Sequence, residues 1–343
     1  MLTDEIWMQR ALDLAQLGGG FVVPNPWVGC VVVRDNVLLG EGFHAQYGGP
    51  HAEVNAFKDI KDARGATAYV SLEPCSHTGK TPPCADLLIK HQVSRVVICN
   101  LDPNPLVGGQ GVTKLEAAGI EVHVGVLAEK GELINRRFFY FHRNRRPYIT
   151  VKYATSADQF IAHPNGDANQ FSNPISQQLV HRLRAEHQAI LVGVNTANAD
   201  NPSLTTRVWP GNSPMRFVLD PQARMDEKLT LLQDEFPTYI FTHEVKKTEG
   251  NKRWIALGSE NYLQKFMGYC ESKAIQSILI EGGTKTIEAF IQEIDVQEII
   301  HIESTEVLGS GIATPNVPFV DERTYQLGSD NHWKVQLGEE NLA

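Results

Sequence analysis

Between Pro50 and Cys84 the chain carries Pro50-His51-Ala52-Glu53, then Pro74-Cys75, then Pro82-Pro83-Cys84. An imidazole, a carboxylate and two thiols in the order His-x-Glu … Pro-Cys … Cys form the donor set of a zinc site that activates water to displace an amine. The set constrains the fold because its members must converge from separate elements. His51 follows Gly48-Gly49-Pro50, which places it at the first turn of a helix. Two residues apart in mid-helix, His51 and Glu53 would point in different directions. At a helix N-terminus both reach a ligand off the end. Cys84 opens another helix, because the Pro-Pro before it cannot continue one from upstream. Two positive helix ends then face one metal and favour thiolate over thiol. With His51, Cys75 and Cys84 as ligands, the fourth position is left for water, the pattern of a catalytic zinc. The metal lowers the water's pKa toward neutrality. Glu53, which is not a ligand, takes the proton and hands it to the leaving amine.

The rest of the first 146 residues reads as scaffold for that site. Helical spacing runs from Ile6 to Leu17 and ends at Gly18-Gly19-Gly20. Val28–Val33 is an apolar, β-branched strand, Arg34-Asp35-Asn36 a turn, and Val37–Glu41 the antiparallel return. Ala66–Leu72, Val93–Cys99 and Glu121–Val124 are further strands. Helices at 52–62, 84–91 and 110–118 alternate with them, which predicts an α/β layered fold around one mixed sheet. Gly108-Gly109-Gln110-Gly111 lacks the third glycine of a dinucleotide fingerprint and reads as a turn before a helix. The basic, aromatic stretch from Asn135 to Pro147 reads as a last helix and a solvated linker.

Length and charge narrow the function. A chain of 343 residues is comfortable for two domains. The net charge of −9 argues against a nucleic-acid groove, while leaving room for a small anion held by local Arg or Lys. No stretch reads as a signal peptide or a bilayer span, so no membrane partner is expected. Five cysteines form an odd, sparse set that suits a reducing, cytoplasmic compartment.

The two cysteines are separated by eight residues, Ser76 to Pro83, where the short deaminase signature has two. That insertion, with Pro24-Asn25-Pro26-x-Val28-Gly29-Cys30, Gly42-x-His44, Glu73-Pro74-Cys75-Ser76-His77-x-Gly79-Lys80-Thr81 and Asp102-Pro103-Asn104-Pro105, resembles the bifunctional riboflavin biosynthesis deaminase/reductase family. The resemblance implies a cytidine-deaminase-like fold, zinc on His51, Cys75 and Cys84, and Glu53 as proton shuttle. It implies a diaminopyrimidinone substrate carrying a phosphoribosylamino group, with Asn25, His44, His77, Lys80 and Thr81 as contacts. Lys80 is the natural phosphate partner, an ammonium acting as a point charge.

From Tyr148 the pattern restarts. Strands are read at Tyr148–Tyr153, Ala189–Val194, Arg216–Leu219, Tyr239–Thr242, Ser277–Ile280 and Glu298–Glu303, with helices at Ile175–Glu186 and Thr284–Ile291. This is a second α/β domain over 147–343 with its own core. Val151-Lys152-x-Ala154, Leu183-Arg184-Ala185, Gly193-x-Asn195-Thr196, Asp200-Asn201-Pro202-x-Leu204-Thr205-x-Arg207 and Glu281-Gly282-Gly283 resemble the reductase half of the same family. That implies a dihydrofolate-reductase-like fold that uses NADPH and assembles as a homodimer or larger. By that resemblance Ala154, Thr196, Asp200, Gly282, Gly283 and Thr284 contact the cofactor, and Arg184, Leu204, Arg207 and Glu281 the substrate. A bidentate guanidinium suits a ribose phosphate.

Three departures stand against the pattern. Gln159 follows Asp158 where Gly is usual, 167–171 replaces a stretch ending near Trp-Ile, and no Pro-Lys precedes Leu308-Gly309. They leave a second reading, a deaminase with a weakened reductase half. Outside the family, a nucleoside deaminase is disfavoured by the long loop and the charge. A zinc-stabilised binding protein has no use for Glu53.

Overall fold

A computed structural model describes residues 3–76, 82–104, 107–165, 171–244, 250–317, 323–328 and 331–337. The chain forms two compact units, Met1–Arg145 and Arg146–Ala343. Among the described residues no helix is long and apolar enough to cross a membrane.

The first unit runs α1 (Asp4–Gln16), β1 (Gly29–Arg34), β2 (Val37–Phe43), α2 (Ala52–Phe57), β3 (Thr67–Leu72), α3 (Cys84–Lys90), β4 (Arg95–Asn100), α4 (Gln110–Ala117), β5 (Glu121–Val124), α5 (Ala128–Ile134) and α6 (Arg136–Asn144). Its sheet order is β2-β1-β3-β4-β5. β1 pairs antiparallel with β2 and β3, and β3, β4 and β5 are parallel. Asp35 and Asn36, at φ 52° and 63°, make the tight reversal between β1 and β2. Alternate residues of β1, β3 and β4 are buried on opposite faces. Cys30, Val32, Val70 and Ile98 pack with Ala52, Ala85 and Leu115 of α2, α3 and α4. Val31, Val33, Tyr69 and Val97 pack with Met8, Ala11 and Leu12 of α1. Burial on both faces is why these strands read as unbroken apolar runs. α1 lies so close to β1 that a Cβ on Gly29 would sit 2.0 Å from the Ala11 carbonyl oxygen.

The helix expected over 52–62 stops at Phe57. Beyond it Lys58, Asp59, Lys61 and Asp62 offer no apolar stripe to bury, and Gly65 (φ 72°) reverses the chain into β3.

The second unit runs β6 (Tyr148–Thr155), β7 (Phe160–Ala162), α7 (Pro174–Glu186), β8 (Ala189–Gly193), α8 (Val194–Asp200), β9 (Met215–Leu219), α9 (Thr230–Gln233), β10 (Thr238–Thr242), β11 (Lys252–Ala256), α10 (Tyr262–Ser272), β12 (Ser277–Ile280), α11 (Thr284–Glu293), β13 (Glu298–Ser304), β14 (Ile312–Ala313), β15 (Arg323–Leu327) and β16 (Asn331–Leu337). Among the described residues nine strands form one sheet in the order β11-β10-β9-β8-β12-β6-β13-β16-β15. The first seven are mutually parallel, and β16 and β15 add an antiparallel hairpin. One face of the sheet carries an aromatic cluster of Phe217, Phe241, Phe266 and Phe290. α7 starts where Asn173 accepts a hydrogen bond from the Ser176 N–H at 2.8 Å, with Pro174 in the first turn. That start fixes the rotation of a helix which carries Arg184 three turns later.

Candidate active sites

In the first unit, His51 is the residue before α2, in extended backbone (φ −69°, ψ 163°), and Cys84 is the first residue of α3. Cys75 sits in the loop after β3, tied to the start of α3 by the Ala85 N–H donating to its carbonyl at 3.1 Å. The three side chains converge. His51 Nδ1 lies 3.7 Å from Cys75 Sγ and 3.3 Å from Cys84 Sγ. All three donor atoms fall within 4.8 Å of one another. Zinc bonds of about 2.3 Å to sulfur and about 2.0 Å to nitrogen at a tetrahedral angle hold N and S about 3.5 Å apart, so the residues fit the ion. The Cys84 N–H donates to Cys75 Sγ at 3.3 Å. The Cys84 thiol, and then His51 and that N–H, pull the Cys75 thiol well down, so the pair supplies a thiolate readily.

Glu53, in the first turn of α2, is 3% exposed and lies beside the three ligands rather than among them. Burial raises its carboxyl to about 7, where it can both take and give a proton at neutral pH. His44 Nδ1 is 2.9 Å from the Pro50 carbonyl, which can only accept, so that nitrogen donates. Burial disfavours the charged ring, leaving Nε2 as an acceptor for the Asn25 amide at 3.0 Å. Asn25, His44, His51, Glu53 and Cys75 line one cavity of about 230 Å³. His77, Lys80 and Thr81 lie outside the described residues. The same cavity is walled by Asp102, Asn104, Phe138 and His142, to which the sequence reading gave no role.

A second cavity, of about 880 Å³, opens in the second unit. Ala154, Thr196, Asp200, Glu281, Gly282, Gly283 and Thr284 all line it. Gly283 is the residue before α11, and its N–H donates to Thr196 Oγ1 at 2.8 Å. A Cβ on Gly282 would stand 2.9 Å from Thr286, so only glycine lets the chain turn this tightly into the helix. Backbone N–H groups at such a turn suit a pyrophosphate, and the cavity fits a dinucleotide.

Arg184 and Glu281 form a bidentate pair, Nε–Oε1 and Nη2–Oε2 both 2.9 Å, with Lys152 3.9 Å from the same carboxylate. Burial pushes Glu281 up, but the two cations outweigh it and hold the carboxyl at about 2. Arg207 sits on a loop pinned by its own N–H to His181 Nδ1 at 3.1 Å, and its guanidinium reaches the hydroxyls of Ser203 and Thr205. Leu204, in left-handed backbone at φ 54°, buries its side chain in the core. Arg184, Leu204 and Arg207 do not line the large cavity.

The departures take on structural meaning. Gln159 occupies left-handed backbone at φ 66°, a conformation that glycine adopts without steric cost. The Asp158 carboxylate accepts from the N–H groups of Leu308 and Gly309 at 3.0 and 2.7 Å and so holds the loop that lacks Pro-Lys. Of the 167–171 stretch only Phe171 is described, buried and lining the large cavity.

Residues 147–334 match the profile of the RibD C-terminal domain, more than half of the chain. The chain belongs to the RibD family. Residues 1–100 match the cytidine and deoxycytidylate deaminase zinc-binding region. Riboflavin biosynthesis protein RibD of Aquifex aeolicus is 39% identical over 319 residues, spanning 90% of this chain and 89% of its own. The Escherichia coli RibD is 36% identical over 332 residues, spanning 90% and 89%. A Thermotoga maritima structure, described as a diaminohydroxyphosphoribosylaminopyrimidine deaminase/5-amino-6-(5-phosphoribosylamino)uracil reductase, is 34% identical with a TM-score of 0.87 over 97% of both chains. Acinetobacter baumannii RibD, form 1, is 33% identical with a TM-score of 0.88, covering 98% of this chain and 99% of that one. Like RibD, this chain is a bifunctional enzyme of riboflavin biosynthesis, a zinc-dependent deaminase and an NADPH-dependent reductase. Similarity through both halves favours this reading over a deaminase with a weakened reductase.

Proposed function

We propose that residues 1–146 carry the deaminase and residues 147–343 the reductase, acting in turn on 2,5-diamino-6-(5-phosphoribosylamino)pyrimidin-4(3H)-one. One observation carries the first half: an imidazole and two sulfurs at ligand spacing with a buried, non-ligating carboxylate beside them. His51, Cys75 and Cys84 hold zinc, which when bound makes a water molecule acidic enough to lose a proton near neutrality. With the metal bound, Glu53 would take that proton as the water oxygen bonds to the ring carbon that bears the exocyclic amine, and would return it to the amine as the carbon–nitrogen bond breaks, so ammonia leaves and an exocyclic oxo group remains on the ring. Asn25 and His44, locked in one tautomer, orient the ring. His77, Lys80 and Thr81 complete the substrate site, Lys80 toward the phosphate.

In the second half Ala154, Thr196, Asp200 and the turn Gly282-Gly283-Thr284 bind NADPH, which supplies the hydride that opens the ribose to a ribityl chain. Arg184, Leu204, Arg207 and Glu281 hold the substrate. Glu281, kept ionised by its two cations, accepts hydrogen bonds rather than giving a proton. Five unpaired cysteines suit a cytoplasmic setting, and the family resemblance supports a homodimer or larger assembly.

The test is Glu53→Gln with the diaminopyrimidine phosphate and NADPH, following ammonia and NADPH oxidation separately. Ammonia release should fall about 10²–10⁴-fold, the range of a lost general acid–base. Bound zinc should be unchanged, and reduction of already deaminated substrate should persist. Full turnover by this variant would overturn the mechanism.

A further inference from the structure

The last helix read over 135–147 is present as α6, with no part in the site assigned to it from the sequence. Two of its side chains face the deaminase cavity. Phe138 and His142 stand one turn apart, i and i+4, and both line the cavity that holds His51, Glu53 and Cys75. Their rings are 4.5 Å apart between centroids and tilted by 56°. Both are half-buried, while their neighbours Phe139, Tyr140 and Phe141 are buried in the unit's interior. Those three buried rings anchor the helix in the unit. A phenyl ring turned to a cavity is not explained by packing.

The imidazole gives a second, independent observation. Among the described residues no hydrogen bond engages either ring nitrogen of His142. It is thus unlike His44 in the same cavity, whose two nitrogens are both occupied. A neutral imidazole offers one N–H donor and one nitrogen acceptor. A pyrimidine carrying amino and oxo groups presents the matching pair on its edge. The phenyl ring offers an apolar face against which a planar heterocycle stacks, an arrangement open to any base because every base has a π-face.

We infer that Phe138 and His142 form the ring-reading wall of the deamination site: Phe138 stacks on the pyrimidine, and His142 hydrogen-bonds an amino or oxo group that is not the one replaced. Neither residue joins the bond-making step, so both are specificity and positioning residues. The inference rests on the deaminase reading of this cavity.

The experiment uses the full chain with zinc bound and the diaminopyrimidine phosphate as probe. His142→Phe keeps the aromatic pair and removes the hydrogen-bonding nitrogens. Phe138→Leu keeps apolar bulk and removes the stacking face. Each should raise KM for ammonia release by about tenfold, the scale of one lost hydrogen bond or one aromatic contact. kcat should change less than KM. Zinc content, and NADPH oxidation with deaminated substrate, should stay at the wild-type level, which a general folding defect would not allow. His142→Gln, which restores a donor and an acceptor, should recover part of the loss. If both variants bind and turn over substrate within twofold of wild type, the inference is overturned. If the wild-type protein itself releases no ammonia from this probe, the deaminase reading fails instead, and the two failures are told apart by that control. Loss of zinc in both variants together would also overturn it, by showing that the pair supports the metal ligands rather than the substrate.

Discussion

Gln159 pays for its place with backbone strain. Its left-handed φ costs a side chain about 1–2 kcal/mol that glycine does not pay. A hydrogen bond from its Nε2 to Glu303 at 2.9 Å returns part of this. Gln159→Gly should therefore leave NADPH-dependent turnover intact and raise the stability of the reductase by up to about 1 kcal/mol, read as an upward shift in the melting temperature. Glu281 sets a pH dependence at the same scale. Its carboxyl is held at about 2 in the folded chain against an ordinary value of 4.5. A depressed carboxylate gives stability that is present above the ordinary value and lost as pH falls toward the folded one. The melting temperature of the reductase should thus drop between about pH 4.5 and 2. Glu281→Gln should flatten that drop while lowering stability at neutral pH, because Arg184 and Lys152 are left buried without their anion. Residues of this kind were legible by type and partly by role. Gln159 stood out as a departure, but its φ could only be seen once the turn was built.

At the scale of elements, Glu73 joins the metal loop to a helix. It stands two residues before Cys75, and its carboxylate accepts from four N–H groups at and before the start of α4. Gly111 donates at 2.8 Å, Gly109 at 2.9 Å, Asp102 at 3.2 Å and Val112 at 3.3 Å. A Cβ on Gly111 would lie 2.1 Å from the Pro74 carbonyl oxygen, so the helix end is pressed against the loop itself. Glu73→Ala should leave those donors buried and unmet. The expected loss is about 3 kcal/mol in denaturant unfolding, with faster release of zinc to a chelator. The sequence showed Gly108-Gly109-Gln110-Gly111 as a turn before a helix, and that is its form: Gly109 has φ 81° and α4 begins at Gln110. It did not show what the turn was for, because the carboxylate that fills it lies 36 residues away or more in the chain. The central strands of both sheets were readable because apolar runs and β-branching survive without context. The edge strand β11 and the hairpin of β15 and β16 were missed, since half-buried or exposed strands such as Lys252–Ala256 and Arg323–Leu327 lack a fully buried face to announce them. α6 was read as a helix, but the part of Phe138 and His142 in the cavity was not, because which face of a short helix meets a cavity depends on where the helix is docked.

For the molecule as a whole, two chemistries on one chain should be separable by metal removal. Treatment with a strong zinc chelator should stop ammonia release and leave NADPH oxidation on deaminated substrate unaffected, and added zinc should restore the first activity. Loss of both activities on chelation would show that the second site depends on the metal. The charge distribution bears on how substrate arrives. The chain carries a net charge of −9, which repels a phosphate monoester at long range. Around Glu281 the sign reverses, because Lys152 and Arg184 bring two positive charges against one negative. Arg184 has two of its nitrogens committed to that carboxylate and a third to the Thr205 carbonyl, whereas among the described residues the Arg207 guanidinium meets the neutral hydroxyls of Ser203 and Thr205 and no carboxylate. The long-range field thus repels the substrate while the cations around Glu281 attract it, and raising ionic strength acts on the two in opposed ways. Salt relieves the distant repulsion and shields the near attraction, so capture of the phosphorylated intermediate should pass through an optimum in salt rather than decline steadily.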